Sequence, residues 1–166
     1  MHQVYIGIGS NIEREHHTKT ALKELSELFG KLTISNVYES EAVGFNGANF
    51  YNLVVGVQTE CGLDEVCLAL RSIEFKHGRQ QHEKKFAPRT LDLDLLLFDD
   101  VVCCDTLVLP REEIEHNAFV LLPLSEVAPD TIHPIAQKTM AWLWQHYDKS
   151  KQKLWKIDIN WDQDLL

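Results

Sequence analysis

Two helical patterns, each enclosed between strand patterns, limit the fold of this chain more than any other feature. The helices are predicted at 15–29 and 63–76, where apolar residues recur at helical spacing. Strands are predicted where apolar residues alternate with polar ones or form short β-rich runs: 3–9, 32–38, 50–59 and 92–98. Because the order is β-α-β-β-α-β, we expect an antiparallel sheet with the helices packed on one face.

Further elements follow this core. Residues 115–122 and 139–147 have helical patterns, with Thr139 as the predicted N-cap, and the tail becomes strand-like at 155–159. The predicted fold class is therefore α+β, with a ferredoxin-like β-α-β-β-α-β sheet and additional C-terminal elements. We expect a single domain over residues 1–166, in which 149–166 form a C-terminal extension of unknown role.

The charge and hydropathy of the chain restrict its partners. A formal net charge of −9 argues against nucleic acid, which binds basic surfaces. No apolar run reaches about 18 residues, so no membrane span is predicted. The N-terminus lacks the basic start and apolar stretch of a signal peptide, which predicts a cytoplasmic protein.

An anionic substrate would need cations nearby, and the chain concentrates them. Six of the 16 Lys and Arg residues fall within 19 positions: Arg71, Lys76, Arg79, Lys84, Lys85 and Arg89. A charge run of this kind is also typical of a solvated surface, so it indicates an anion site only together with other features.

The segment 86–96 supplies such a feature. Asp92 and Asp94 are two apart on a predicted strand, so their side chains project from one face with about 6–7 Å between the Cα atoms. We expect Leu93, Leu95 and Leu97 to face the opposite way, into the core. Paired carboxylates beside a basic loop suit Mg²⁺, which prefers one or two carboxylates together with phosphate oxygens and waters. The alternative is an edge strand whose exposed face is merely acidic.

A longer pattern surrounds the two aspartates. Pro88-Arg89 precedes them, and further matching segments occur in order: 9–11, 38–44, 50–52, 74–79, 109–110 and 119–129. Together these segments resemble the 6-hydroxymethyl-7,8-dihydropterin pyrophosphokinase family over roughly residues 3–148. The resemblance implies an enzyme of folate synthesis that transfers diphosphate from ATP to the pterin hydroxymethyl group and releases AMP. It also implies two Mg²⁺ ions, small-molecule substrates only, and a monomer.

The resemblance also implies roles for particular residues. Asp92 and Asp94 correspond to the metal ligands, and Arg79 and Arg89 to the catalytic arginines at the phosphates. The pterin pocket corresponds to Ser40, Val43, Phe50, Asn52 and Phe119. The ATP side corresponds to Arg71, Glu74, Arg79, His82, Phe86, Arg89 and Arg111. Asn52 also stands out by itself, because asparagine is unfavourable inside an apolar strand.

Two positions after Pro110 depart from the family pattern. Arg111 stands where the family usually has histidine after the proline, and Asn117 stands where it has arginine. These departures keep two alternatives open: a divergent relative that binds pterin or nucleotide with little turnover, and a metal-dependent phosphohydrolase that uses the paired aspartates.

Overall fold

A computed structural model describes residues 1–41, 48–78, 90–150, 152–159 and 161. The strands are β1 (His2–Ser10), β2 (Thr33–Ile34), β3 (Val37–Ser40), β4 (Phe50–Thr59), β5 (Asp92–Phe98), β6 (Cys103–Cys104), β7 (Val108–Leu109) and β8 (Leu154–Ile157). The helices are α1 (Arg14–Phe29), α2 (Leu63–Lys76), α3 (Glu113–His116), α4 (Ala118–Val127) and α5 (Met140–Gln145).

The main sheet has six strands. Its order is β5-β1-β4-β3-β8, with β2 also paired to β4, and the paired strands run antiparallel. The short strands β6 and β7 form a separate two-stranded sheet. The ferredoxin-like arrangement is confirmed, because β1, α1, β3, β4, α2 and β5 follow the predicted order. The predicted bounds of β4, α2 and β5 agree with the structure.

Helices cover both faces of this sheet. On one face, α1 and α2 pack on the larger core, which includes Ile6, Leu22, Leu53, Val55 and Ile73. On the other face, residues of α3, α4 and α5 pack on a second core, which includes Tyr5, Val54, Leu96, Leu121 and Met140. The second layer was not part of the one-face expectation. It forms because Tyr5 and Val54, which alternate with first-core residues along β1 and β4 and so face the other side of the sheet, are also apolar.

Local predictions differ from the structure in three places. Leu97 was expected to share a face with Leu93 and Leu95, but it packs in the second core, because the pairing of β5 with β1 shifts register beside Leu96. The predicted helix at 115–122 is divided at Asn117, whose backbone is extended (φ −121°, ψ 118°). The predicted strand at 32–38 forms two short strands. Thr139 is confirmed as an N-cap, since its side chain accepts from Trp142 N.

The C-terminal tail joins the sheet. Strand β8 pairs with β3 from Val37↔Ile157 to Ser40↔Leu154, so it forms the edge of the sheet beside β3. This pairing confirms the strand character of the tail, beginning one residue earlier than predicted. No helix within the described residues is long and apolar enough to cross a membrane.

Candidate active site

A row of three residues runs across the neighbouring strands β5, β1 and β4 on the face of the second core. Gly9 of β1 lies opposite Asp92 of β5 on one side and opposite Asn52 of β4 on the other. Adjacent strands are about 4.8 Å apart, so the Cα atoms of Asp92 and Asn52 are roughly 10 Å apart. Gly9 contributes no side chain between them. The result is an open floor with a carboxylate at one end and an amide at the other.

The amide end of the floor is held in a fixed orientation. Asn52 and Ser40 are both buried, and Asn52 Nδ2 donates to Ser40 Oγ over 2.7 Å. A Cβ atom added to Gly9 would lie 3.5 Å from Asn52 Oδ1 and 3.9 Å from Phe50 Cδ1. Ser40, Phe50 and Asn52, which were predicted to form one pocket, therefore lie together around this end of the floor.

The carboxylate end carries Asp92 and Asp94. Gly9 and Gly7 lie opposite them on β1, so both side chains project from the same face, as the spacing predicts. The Asp94 side chain is 43% exposed. Partial burial raises the pKa of Asp94 above its usual range, with repulsion from Asp92 as the next cause and attraction to Arg111 opposing both.

These two carboxylates fit a magnesium ion. They share one face, Asp92 disfavours the charge of Asp94, and Asp94 is open to solvent. Magnesium binds sites of this kind through one or two carboxylates and completes its coordination with waters and substrate phosphates. Among the described residues, no group of three or more His, Cys, Asp or Glu side chains could hold a metal by itself. Two carboxylates leave most of the octahedral positions of magnesium to waters and phosphate oxygens.

Arg111 lies against Asp94, one of the two candidate metal ligands. Its backbone N–H donates to Leu96 O over 3.0 Å, and its Nε donates to Leu95 O over 3.2 Å. Its Nη2 lies 3.6 Å from Asp94 Oδ1. The guanidinium thus supplies a positive charge beside Asp94. Its predicted contact with ATP stays a prediction, and the ion pair with Asp94 is a link that the sequence did not indicate.

Glu74 supports the strand between the two aspartates. It lies on α2, is 7% exposed, and accepts from Leu93 N over 2.9 Å. Because β5 is an edge strand, this backbone N–H needs a partner outside the sheet, and Glu74 supplies it. The ATP role predicted for Glu74 stays a prediction. Arg71, an exposed residue one turn earlier on α2, also awaits a test of its ATP role.

Helix α4 brings the last pterin candidate to the same face of the sheet. Phe119 is half-buried in its first turn. The helix packs on β4 and is tied to β3 by Tyr38, whose hydroxyl donates to Glu126 Oε2 over 2.8 Å. Burial first, and then this carboxylate, raise the pKa of Tyr38 to about 12, so the hydroxyl keeps its proton. The remaining predicted residues, Val43, Arg79, His82, Phe86 and Arg89, lie outside the described residues.

Comparison with known proteins decides which family this site represents. The model of the 7,8-dihydro-6-hydroxymethylpterin-pyrophosphokinase family matches residues 5–129. The chain belongs to this family. It is 37% identical over 143 residues to the 2-amino-4-hydroxy-6-hydroxymethyldihydropteridine pyrophosphokinase of Aquifex aeolicus, covering 84% of this chain and 89% of the relative. The pyrophosphokinase of the same name from Synechocystis is 33% identical over 151 residues, covering 89% of this chain and 77% of the relative.

Solved structures of family members support the fold. A structure described as HPPK-DHPS in complex with substrates matches with a TM-score of 0.72 and 13% identity, covering 90% of this chain and 44% of that one. A Plasmodium falciparum HPPK-DHPS structure matches with a TM-score of 0.71 and 15% identity, covering 87% of this chain and 45% of that one. The chain thus spans less than half the length of these solved proteins, and the likeness concerns the pyrophosphokinase fold alone.

Proposed function

We propose that this chain transfers the terminal diphosphate of ATP to the hydroxymethyl group of 6-hydroxymethyl-7,8-dihydropterin and releases AMP, as a step of folate synthesis. The observation that carries the proposal is the row Asp92–Gly9–Asn52 across three strands. It offers an amide to a flat polar ring and, about two strand spacings away, carboxylates to a metal-bound phosphate. Both relatives described above are named as pyrophosphokinases of this pterin, which is the activity proposed here.

The pterin lies over the floor that Gly9 leaves open. Asn52 bonds the polar edge of the ring, with its amide held in place by Ser40. An aromatic side chain stacks well on a flat heterocycle, and Phe119 in the first turn of α4 takes this role. Phe50 borders the floor, and Val43 is the further member implied by the family pattern. This arrangement directs the hydroxymethyl group toward Asp92.

The end of the floor that would face the phosphates carries charged side chains. Asp92 and Asp94 would hold magnesium, which would screen the phosphate charge when bound. Glu74 keeps the strand between the two aspartates in place through Leu93 N. Arg111 adds a fixed positive charge beside Asp94, and Arg79 and Arg89 take the remaining phosphate contacts that the family pattern implies. Concentrated cations are needed because the chain as a whole carries a net charge of −9.

The reaction balances as a single displacement. The pterin hydroxyl oxygen forms a bond to the β-phosphorus, and the bond from that phosphorus to the α-β bridging oxygen breaks. AMP leaves with the bridging oxygen, and the hydroxyl proton passes to water. Positioning and electrostatic stabilisation supply most of the catalysis in transfers of this type.

Product analysis tests this proposal. The protein is incubated with ATP, Mg²⁺ and the dihydropterin, and nucleotides are separated by chromatography. AMP should form only when all three are present, and Asp92→Asn should form none while keeping its fold by circular dichroism. Pterin-independent release of phosphate would favour a phosphohydrolase, and pterin binding without AMP would favour a binding protein. Either outcome would overturn the proposal.

A further inference from the structure

The C-terminal tail lies outside residues 5–129, which match the family, yet it contacts the elements that carry the pterin candidates. Gln152 Oε1 accepts from Ala118 N over 2.6 Å, and Gln152 Nε2 donates to Asn117 Oδ1 over 3.2 Å. We propose that Gln152 is a positioning residue for the pterin site: it caps the first turn of α4 and so fixes Phe119. This inference rests on the proposed function.

Helix α4 needs a cap from elsewhere in the chain. The first N–H groups of a helix have no partner within the helix. Within the described residues, Asn117 at the N-cap makes no side-chain capping bond, and Ala118 is only 1% exposed, which keeps water from its N–H. Gln152 supplies the missing acceptor from 34 residues away. Phe119 is the next residue, so the geometry of the first turn decides where its ring stands.

The same short segment also reaches the other side of the pocket. Leu154, two residues after Gln152, lies opposite Ser40 in the pairing of β8 with β3. On the reverse face of β3, Trp155 Nε1 donates to Glu39 Oε2 over 3.0 Å, and Arg14 pairs with Glu39 Oε1 at 2.6 Å. One extended segment therefore joins the helix that carries Phe119 to the strand that carries Ser40.

This contact also gives Asn117 a role. The family pattern implies arginine at this position, whereas the structure directs the Asn117 side chain to Gln152. A short amide suits that contact because it offers an oxygen to the Gln152 amide. Asn117, where the chain departs from the family pattern, is therefore in direct contact with Gln152 of the tail.

Loss of the cap should weaken pterin binding specifically. If the first turn of α4 frays without Gln152, ligand binding must re-form it, and that cost is subtracted from the binding free energy. A typical helix cap is worth ~1 kcal/mol, which corresponds to about a five-fold rise in the pterin dissociation constant. ATP is expected at the other end of the floor, so its affinity should change little.

Calorimetry with the full chain tests this inference. Dissociation constants are measured for the dihydropterin, with Mg²⁺ and a non-hydrolysable ATP analogue present, and for the analogue alone. Gln152→Ala should weaken the pterin about five-fold and leave the analogue unchanged. Gln152→Glu keeps an acceptor at a helix N-terminus that favours negative charge, so it should bind within about two-fold of wild type. Lys153→Ala, at the exposed neighbouring position, is the matched control.

The outcomes separate this inference from the proposed function. If wild type binds no pterin, the function is wrong. If wild type binds pterin and Gln152→Ala binds it equally well, Gln152 is only structural and the inference falls. Should Gln152→Ala not fold, Gln152→Asn replaces it, because that side chain is one methylene too short to reach Ala118 N; unchanged pterin affinity in this variant would also overturn the inference.

Discussion

Replacing Arg111 by methionine should strengthen binding of Mg²⁺ and weaken binding of ATP. In the structure, the guanidinium lies 3.6 Å from the Asp94 carboxylate and repels any cation that approaches it. Two unit charges at this distance interact by about 1 kcal/mol in water and about 5 kcal/mol at an effective dielectric constant of 20. The Arg111 and Asp94 side chains are 28% and 43% exposed, so the smaller value applies.

One kcal/mol corresponds to about a five-fold tighter Mg²⁺ complex in the absence of nucleotide. With ATP, the sign reverses, because arginine then faces phosphate: loss of one charge-assisted contact of about 1.5 kcal/mol should raise the ATP KM roughly ten-fold. Methionine suits the test because it keeps much of the apolar stem.

Titration calorimetry with Mg²⁺ alone, at about pH 9 so that Asp94 is ionised even without Arg111, and steady-state kinetics with ATP measure the two effects. Lys76→Met makes the same change in net charge on α2, where Lys76 lies 4.0 Å from Glu24, and should move neither quantity. Equal or weaker Mg²⁺ binding by Arg111→Met would refute the electrostatic reasoning. An unchanged ATP KM would mean that Arg111 serves Asp94 and not the phosphates.

Three further predictions follow from the site and its surroundings. Asp94→Asn should abolish turnover. It should also raise the midpoint of thermal unfolding of the metal-free protein at pH 8, because the surroundings of Asp94 disfavour its charge. A lower midpoint would indicate a structural role for Asp94. Gly9→Ala should fold normally, since the added Cβ would lie 3.5 Å from Asn52 Oδ1, an ordinary contact distance. It should weaken pterin binding because the methyl group occupies space above the floor, and unchanged pterin affinity in calorimetry would contradict this placement. Stability should fall as pH drops from 7 to 5 partly through His133, whose Nδ1 accepts two backbone N–H groups and whose pKa is lowered by burial. Its neutral form is the folded one, so this contribution is present above about pH 6.5 and lost below it. Urea unfolding should show a smaller fall for His133→Gln, and an equal fall would exclude this group.

The main elements could be predicted from the sequence because their periodicity is strong. The helix at 63–76 and the strand at 92–98 have the predicted bounds, and the two-residue spacing of Asp92 and Asp94 was enough to put them on one face. The face of Leu97 could not be predicted, because the register shift that turns it depends on pairing with β1. Local sequence gives no sign of such a shift.

The arrangement of the candidate site could not be predicted from the sequence, because it depends on contacts between distant segments. Asn52 was identified as an unusual residue in an apolar strand, but its place across Gly9 from Asp92 depends on the pairing of three distant strands. Glu74 was predicted to lie on the ATP side. Its hydrogen bond with Leu93 N could not be predicted, because it depends on how α2 packs on β5. Gln152 has no local pattern at all, since its partners Asn117 and Ala118 are brought to it by the fold.

The most direct test follows the β-phosphorus of ATP. ATP radiolabelled at that atom is incubated with the protein, Mg²⁺ and 6-hydroxymethyl-7,8-dihydropterin, and the products are separated by chromatography. Diphosphate transfer predicts that the label moves to the pterin product and that the nucleotide product is unlabelled AMP. Label retained in ADP would mean that only the γ-phosphoryl group was removed, by transfer or by hydrolysis, and label released as inorganic diphosphate would mean hydrolysis at the α-β bridge. Either result would contradict the function proposed for this chain.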